Sequence, residues 1–275
     1  MGRLGVKVAS NLLIMTLILI VLPVLPMTRS LSGAEEAKPT RSTIIVDASG
    51  EGDYTHIQWA IDNASNGDIV YVAAGIYSEN ITIATKSLTL TGVDQNLTII
   101  QGTNISTCIN ITSSNNEISK LNISNGKCGI SIIEGSSNYI HNNIFYNNTF
   151  SIGMKDTFQN IIEKNFLSES TIFNLGMINC TKDLIENNVL ISKKGHNILF
   201  YESYDEFIIN NSIIGGDLYF SPGPYTWWHI ELENGSGQGQ GQGQGQQSRI
   251  PIKYFSHNIE GNLRNGLPRH YQKIQ

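Results

Sequence analysis

The stretch LIENNVL, residues 184–190, decides the fold, because the chain writes it repeatedly. It appears as YIHNNIF at 139–145, IIEKNFL at 161–167 and FIINNSI at 207–213, with a weaker form, EISKLNI, at 117–123. The second letters, Ile118, Ile140, Ile162, Ile185 and Ile208, step by 22, 22, 23 and 23 residues. Two further columns keep the same register. One is Ile123, Phe145, Leu167, Leu190 and Ile213; the other is Ile132, Met154, Met177 and Phe200. A fixed period in the twenties marks a solenoid, in which each repeat buries its apolar face against the next.

Residue types choose among solenoids. The short runs between Gly, Asn and Ser are rich in Ile, Leu, Phe and Val, which is strand chemistry. Ala, Leu, Glu and Lys are too few for paired helices, and the leucine-rich phrase LxxLxLxxN is absent. The expected fold is therefore all-β, a right-handed parallel β-helix of about eight coils. Each coil supplies about three short strands and rises about 4.8 Å. Asn143, Asn165, Asn188 and Asn211 fall at a bend. Asn tolerates left-handed backbone there, and its amide can bond the copies above and below. The first repeat has Leu121 at this place, so the ladder should begin at Asn143.

Composition sets bounds. The 275 residues carry a formal charge of −5, and the segment before Glu35 holds Arg3, Lys7 and Arg29 without an acid. The remainder is thus −8 (15 basic, 23 acidic), which argues against a nucleic-acid partner. At the N-terminus Arg3 and Lys7 precede LLIMTLILIVLPVLP, residues 12–26, with small residues at 32–34. Residues 1–34 are expected to be a signal peptide or an uncleaved signal-anchor, the membrane being met only through this segment. Either way the body faces outside.

The 29 Asn and 44 Ser plus Thr would place about five Asn-X-Ser/Thr sequons by chance; ten occur. They are Asn63, Asn80, Asn96, Asn104, Asn110, Asn122, Asn147, Asn179, Asn210 and Asn234. The excess suits an exported glycoprotein, and equally a fold that needs Asn, Ser and Thr in its turns. Cys108, Cys128 and Cys180 are an odd set. Small buried residues are the default reading, with a Cys108–Cys128 bridge as the alternative.

The regular coils, 115–220, follow an irregular opening. DYTHIQWAIDNASNG, residues 53–67, reads as an amphipathic cap helix over 55–65 with Ile57, Ala60, Ile61 and Ala64 on one face. Thr55 and Gln58 suggest a capping box, Tyr54 and Trp59 a hydrophobic staple, and Gly67 the helix end. The helix would plug the first coil of a β-helix domain spanning 42–230.

Residues 50–93, GEGDYTHIQWAIDNASNGDIVYVAAGIYSENITIATKSLTLTGV, resemble the opening of pectin-lyase-like β-helix proteins. These include pectin methylesterases and the NosD-type or parallel β-helix repeat proteins. The repeats at 115–220 look like the second group. GIYSE, residues 75–79, matches the methylesterase phrase G-x-Y-x-E. The later phrases of that family are missing, and no Arg lies between Arg41 and Arg249. GIYSE then reads better as a turn and cap feature, and no catalytic residue is assigned. Glu163 and Glu186 stand at matching positions 23 apart, so their carboxylates could stack and bind a cation or raise a pKa; splayed, solvated side chains are the alternative. The NosD likeness raises copper. His141 shares the Glu163 and Glu186 column, while Met154 and Met177 fall in an apolar one. No cofactor and no metal ligand are expected from these residues.

After the coils, SPGPYTWWHIE at 221–231 brings the Trp227–Trp228 pair. A Gly/Gln-rich linker at 234–247 and a basic tail at 248–275 follow. The leading expectation is an exported cell-surface or extracytoplasmic protein, non-catalytic, that offers a polar flank to polysaccharide or envelope glycan. A polysaccharide lyase or esterase, and a metal-delivery accessory, are the alternatives. A cluster of acid and base on neighbouring coils would favour the enzyme.

Overall fold

A computed structural model describes residues 41–215 except 194, 204 and 205. It also places the backbone of strands 218–221, 226–231, 238–243, 259–260, 263–264 and 267–268. The expected signal segment, Asn234, the Trp227–Trp228 side chains and most of the tail lie outside the described residues. Within the stretch read as a linker, Gln238–Gly243 pairs antiparallel with Thr226–Glu231.

Each coil lays one strand into each of three sheets. One coil is Tyr139–His141, Ile144–Tyr146 and Phe150–Lys155. The first sheet has ten strands, the second eight and the third seven. Successive coils pair in parallel, Ile140 with Ile162 and Ile162 with Ile185. This is the expected right-handed parallel β-helix. The seven strands of the third sheet set about seven complete coils, not eight. The opening coils are irregular: Thr89 pairs with Ile69, 20 residues before it, and with Glu117, 28 after it. Dividing chain length by 22 therefore overcounts.

The period arises because one inward residue per short strand must meet its equivalent in the next coil. Ile118, Ile140, Ile162, Ile185 and Ile208 form that stack in the first sheet. Phe145, Leu167 and Leu190 do so in the second, and Ile132, Met154, Met177 and Phe200 in the third. All are buried. Each such side chain withdrawn from water contributes roughly 1.5–3 kcal/mol.

The corner between the first and second sheets corrects one expectation. The left-handed residue is not the ladder Asn but the one before it: Lys120, Asn142, Lys164, Asn187 and Asn210, with φ between 53° and 57°. The turn is made there, which leaves the next residue free to point inward. Asn143 N–H and Nδ2 both donate to Asn165 Oδ1 at 3.0 and 3.1 Å. Asn165 does the same to Asn188, and Asn188 to Asn211. The ladder begins at Asn143, whose Oδ1 accepts from the backbone of Leu121.

The step from 22 to 23 residues enters at the corner between Phe166–Ser168 and Phe173–Ile178, and the next coil repeats the longer corner between Val189–Ser192 and His196–Tyr201. At the first of these the N–H groups of Ile172 and Phe173 share one acceptor, Thr149 O, at 3.0 and 3.4 Å. The extra residue forms a small bulge at the corner, and the columns beyond it continue in register.

The cap helix α1 runs Ile57–Asn63, shorter than 55–65, and buries Ile57, Ala60 and Ile61 against the first coil. Its caps differ from the local motifs. His56 is the N-cap and makes no side-chain cap bond. The two free N–H groups of Ile57 and Gln58 instead donate to Glu79 Oε1 and Oε2 at 2.9 and 3.0 Å. Trp59 is exposed and meets His56 edge-on rather than Tyr54. The helix ends at Ala64, in extended backbone, and Gly67 makes a separate turn. GIYSE is thus structural: Tyr77 points inward and its hydroxyl donates to Ala73 O at 3.2 Å, while Glu79 caps the helix. Glu79→Ala should cost about 1 kcal/mol, the usual loss of an N-terminal cap. Faster amide exchange at Ile57 and Gln58, with a lower urea midpoint, would report it; unchanged exchange there would refute the role of Glu79.

Candidate functional site

A three-residue strand with its middle residue inward turns the first and third outward. The outer face of the first sheet therefore carries two columns. One runs Glu117, Tyr139, Ile161 and Leu184; the other Ser119, His141, Glu163 and Glu186. Polar and aromatic groups concentrate in the lower half, where they bond one another across coils.

His141 Nε2 lies 3.1 Å from Glu117 Oε1, and its Nδ1 lies 2.7 Å from Asn142 Nδ2. Glu117 Oε2 accepts from the Thr89 hydroxyl at 3.2 Å, and Arg41 Nη2 donates to that hydroxyl oxygen at 2.6 Å. On the other side the Tyr139 hydroxyl donates to Glu163 Oε2, while Lys164 pairs with Glu163 Oε1. The Tyr139 and His141 rings stack at 4.0 Å and join the two halves. The result is one connected row, from Arg41 through Thr89, Glu117, His141 and Tyr139 to Glu163 and Lys164.

Electrostatics follow from these contacts. Burial, then donation to Glu163, pushes the Tyr139 phenol up to about 12. The Lys164 ammonium, with the Tyr139 hydroxyl, holds Glu163 below the ordinary carboxylate value. The bond to Glu163 raises Lys164 in turn. At neutral pH the row thus presents a protonated phenol, a carboxylate and an ammonium. Tyr139 is a hydrogen-bond donor there, not a base, and both ring nitrogens of His141 face partners. The register does bring Glu163 opposite Glu186, but the Glu163 carboxylate turns to Tyr139 and Lys164.

A second polar column runs inside the corner between the third and first sheets. Asn116, Asn138 and Asn160 chain through their amides, each bonding the Oδ1 of the next. Asn160 N–H and Nδ2 donate to Asp183 Oδ1 at 2.6 and 3.0 Å, and Asp183 N–H donates to Glu206 Oε2 at 2.9 Å. Both carboxyls are fully buried. Sequence reading missed this column, although the residues two before each core Ile show it: Asn116, Asn138, Asn160, Asp183 and Glu206.

A family model described as "Periplasmic copper-binding protein (NosD)" matches residues 61–223. No curated protein matches the chain in sequence. Solved structures of similar shape include an alginate lyase from Paenibacillus sp. str. FPU-7, 13% identical with a TM-score of 0.58, over 70% of this chain and 75% of that one. A pectin methylesterase in complex with hexasaccharide VII is 14% identical with a TM-score of 0.51, over 74% of each chain. The catalytic domain of a GH87 α-1,3-glucanase, in complex with tetrasaccharides, is 14% identical with a TM-score of 0.54, over 70% of this chain and 39% of that one. At such identities the likeness carries the fold alone.

The copper in that description can be tested against the donors present. Met154 and Met177 face each other in the interior column between Ile132 and Phe200. The three thiols are free, and burial pushes them up, Cys108 to about 11 and Cys128 and Cys180 to about 12, so they are neutral. Soft-metal binding needs thiolates, or thioethers and imidazoles that converge. Among the described residues no group of three or more His, Cys, Asp or Glu could hold a metal ion. These residues do not fit a copper site. Among the described residues, too, no helix is long and apolar enough to cross a membrane.

Proposed function

Since the chain belongs to the NosD family, we propose that it is an extracytoplasmic, non-catalytic member that binds a linear glycan along the outer face of its first sheet. The observation that carries this reading is the connected row from Arg41 to Lys164. Its donors and acceptors are fixed by mutual hydrogen bonds, so little ordering entropy is lost on binding. They repeat at the coil rise of about 4.8 Å, close to the length of a sugar unit. The stacked Tyr139 and His141 rings give an apolar platform amid hydroxyl-bonding groups. A base for eliminative chemistry is poorly supplied, because Tyr139 is held protonated and His141 is bonded at both nitrogens. Glu117 and Glu163 in the row, with Glu186 in the coil beside Glu163, disfavour polyuronates by like charge, so neutral or amino glycans should bind better.

The test is a glycan array, run beside lyase and esterase assays, on wild type, Tyr139→Ala and His141→Ala. Each variant should weaken binding about tenfold, equivalent to about 1.4 kcal/mol, with circular dichroism unchanged. Turnover of a polysaccharide without stable binding would favour the enzyme alternative instead. Undiminished binding by both variants would move the site off this face.

A further inference from the structure

The sequons divide by position. None of the buried asparagines, from Asn116 to Asn211, opens an Asn-X-Ser/Thr triplet. The fold itself explains that: the residue two after a ladder Asn is an interior one, as Phe145 after Asn143 and Leu167 after Asn165. The fold does not explain how the surface sequons are arranged.

Three of them share one corner, between the second and third sheets. Asn80 lies between Gly75–Tyr77 and Ile81–Ile83. Asn104 lies between Thr98–Gln101 and Thr107–Ile111, and Asn147 between Ile144–Tyr146 and Phe150–Lys155. They stand in one vertical line. Ser106 Oγ donates to Asn80 Oδ1 at 2.8 Å, Asn104 N–H donates to Asn125 O at 2.6 Å, and Asn147 Nδ2 donates to Asn125 Oδ1 at 2.8 Å. All three asparagines are exposed. Their partner hydroxyls also reach the surface: Thr82 is exposed, and Ser106 and Thr149 are half-buried. Asn63 lies off this corner, at the end of α1, and donates its Nδ2 to Trp59 O at 2.8 Å. Three other sequons fail on the hydroxyl. Thr98, partner of Asn96, is fully buried, Ser124, partner of Asn122, is buried, and the Thr181 hydroxyl beside Asn179 is shut from solvent. No sequon falls within the strands of the first sheet.

We propose that the chain carries N-linked glycans along the corner between the second and third sheets, at Asn80, Asn104 and Asn147, which leaves the outer face of the first sheet bare. In each transfer the asparagine amide nitrogen bonds to C1 of a lipid-phosphate-linked oligosaccharide. The C1–oxygen bond to phosphate breaks, the lipid phosphate leaves with the electron pair, and the amide proton passes to a base of the transferase. The surface hydrogen bonds at Asn80 and Asn147 are exchangeable with water. The assignment stands whether or not the first sheet binds glycan.

The test is peptide mass spectrometry on protein purified from the cells that make it. Saccharide is expected at Asn80, Asn104 and Asn147 and not at Asn96, Asn122 or Asn179. Replacing the three by Gln, one after another, should lower the intact mass in three steps. Unchanged thermal unfolding of the triple variant shows that the loss is not misfolding. Bare asparagine at the three corner positions, or saccharide on Asn122 or Asn179, overturns the proposal.

Discussion

Asn165→Ala should lower the stability of the folded chain by about 3–5 kcal/mol, from several buried polar groups left without partners at about 1–3 kcal/mol each. The side chain accepts from Asn143 N–H and Nδ2 and donates to Ile140 O at 2.8 Å and Asn188 Oδ1 at 3.1 Å. Alanine removes all four contacts where water cannot replace them, since Asn143, Asn165 and Asn188 are at most 2% exposed. The loss is larger than for an isolated pair, because each amide in the column polarises the next. Urea unfolding of wild type and variant would measure it; a difference below about 1 kcal/mol would mean that the ladder contributes no more than an ordinary hydrogen bond.

The second large effect has the opposite sign. Asp183 stands where earlier coils have Asn116, Asn138 and Asn160, and burial raises its carboxyl to about 6 from 3.8, against the hydrogen bonds from Asn160 and Thr157. The groups around it are Asn160, Thr157, the Cys180 thiol and the Glu206 carboxyl. Between about pH 4 and pH 6 the folded chain holds a proton here that the unfolded chain has released. Stability from this group is therefore present at the acid end and lost as pH rises through 6, by about 3 kcal/mol in all. Carboxylates held low, such as Glu163 and Asp68, act the other way but below that window. Asp183→Asn keeps the oxygen that accepts from Asn160 and gives Glu206 a donor. It should stabilise the chain by about 1–3 kcal/mol at pH 7.5 and flatten the slope between pH 4.5 and pH 7. Urea midpoints at several pH values would check both parts. A variant less stable than wild type, or a slope left unchanged, would refute the account of the buried carboxyl.

The vertical part of the structure was legible in the sequence. The columns at Ile118, Ile132 and Phe145 follow from a period, and the ladder start follows from Leu121 standing where later coils have Asn. The buried face of α1 was equally plain in Ile57, Ala60 and Ile61. What escaped notice is diagonal, distant or disguised. His141 with Glu117 and Tyr139 with Glu163 each span 24 residues, one coil plus two, and column reading does not pair them. The cap of α1 comes from Glu79, 22 residues from Ile57, so nothing beside the helix could reveal it. The inner amide column keeps its place but changes chemistry at Asp183 and Glu206, which hides the repeat from an eye tuned to Asn.

The bulge at Ile172 and Phe173 bears on how such a chain can change over generations. A codon added at a corner is taken up there, and the layer above matches it at the same corner while the strands keep their pairing. A whole turn duplicated or lost would shift the stack by one storey and leave every remaining layer in its seat. Height is then a heritable setting, adjustable in single turns, and the molecule can serve as a gauge whose span selection lengthens or trims without redesigning its interior.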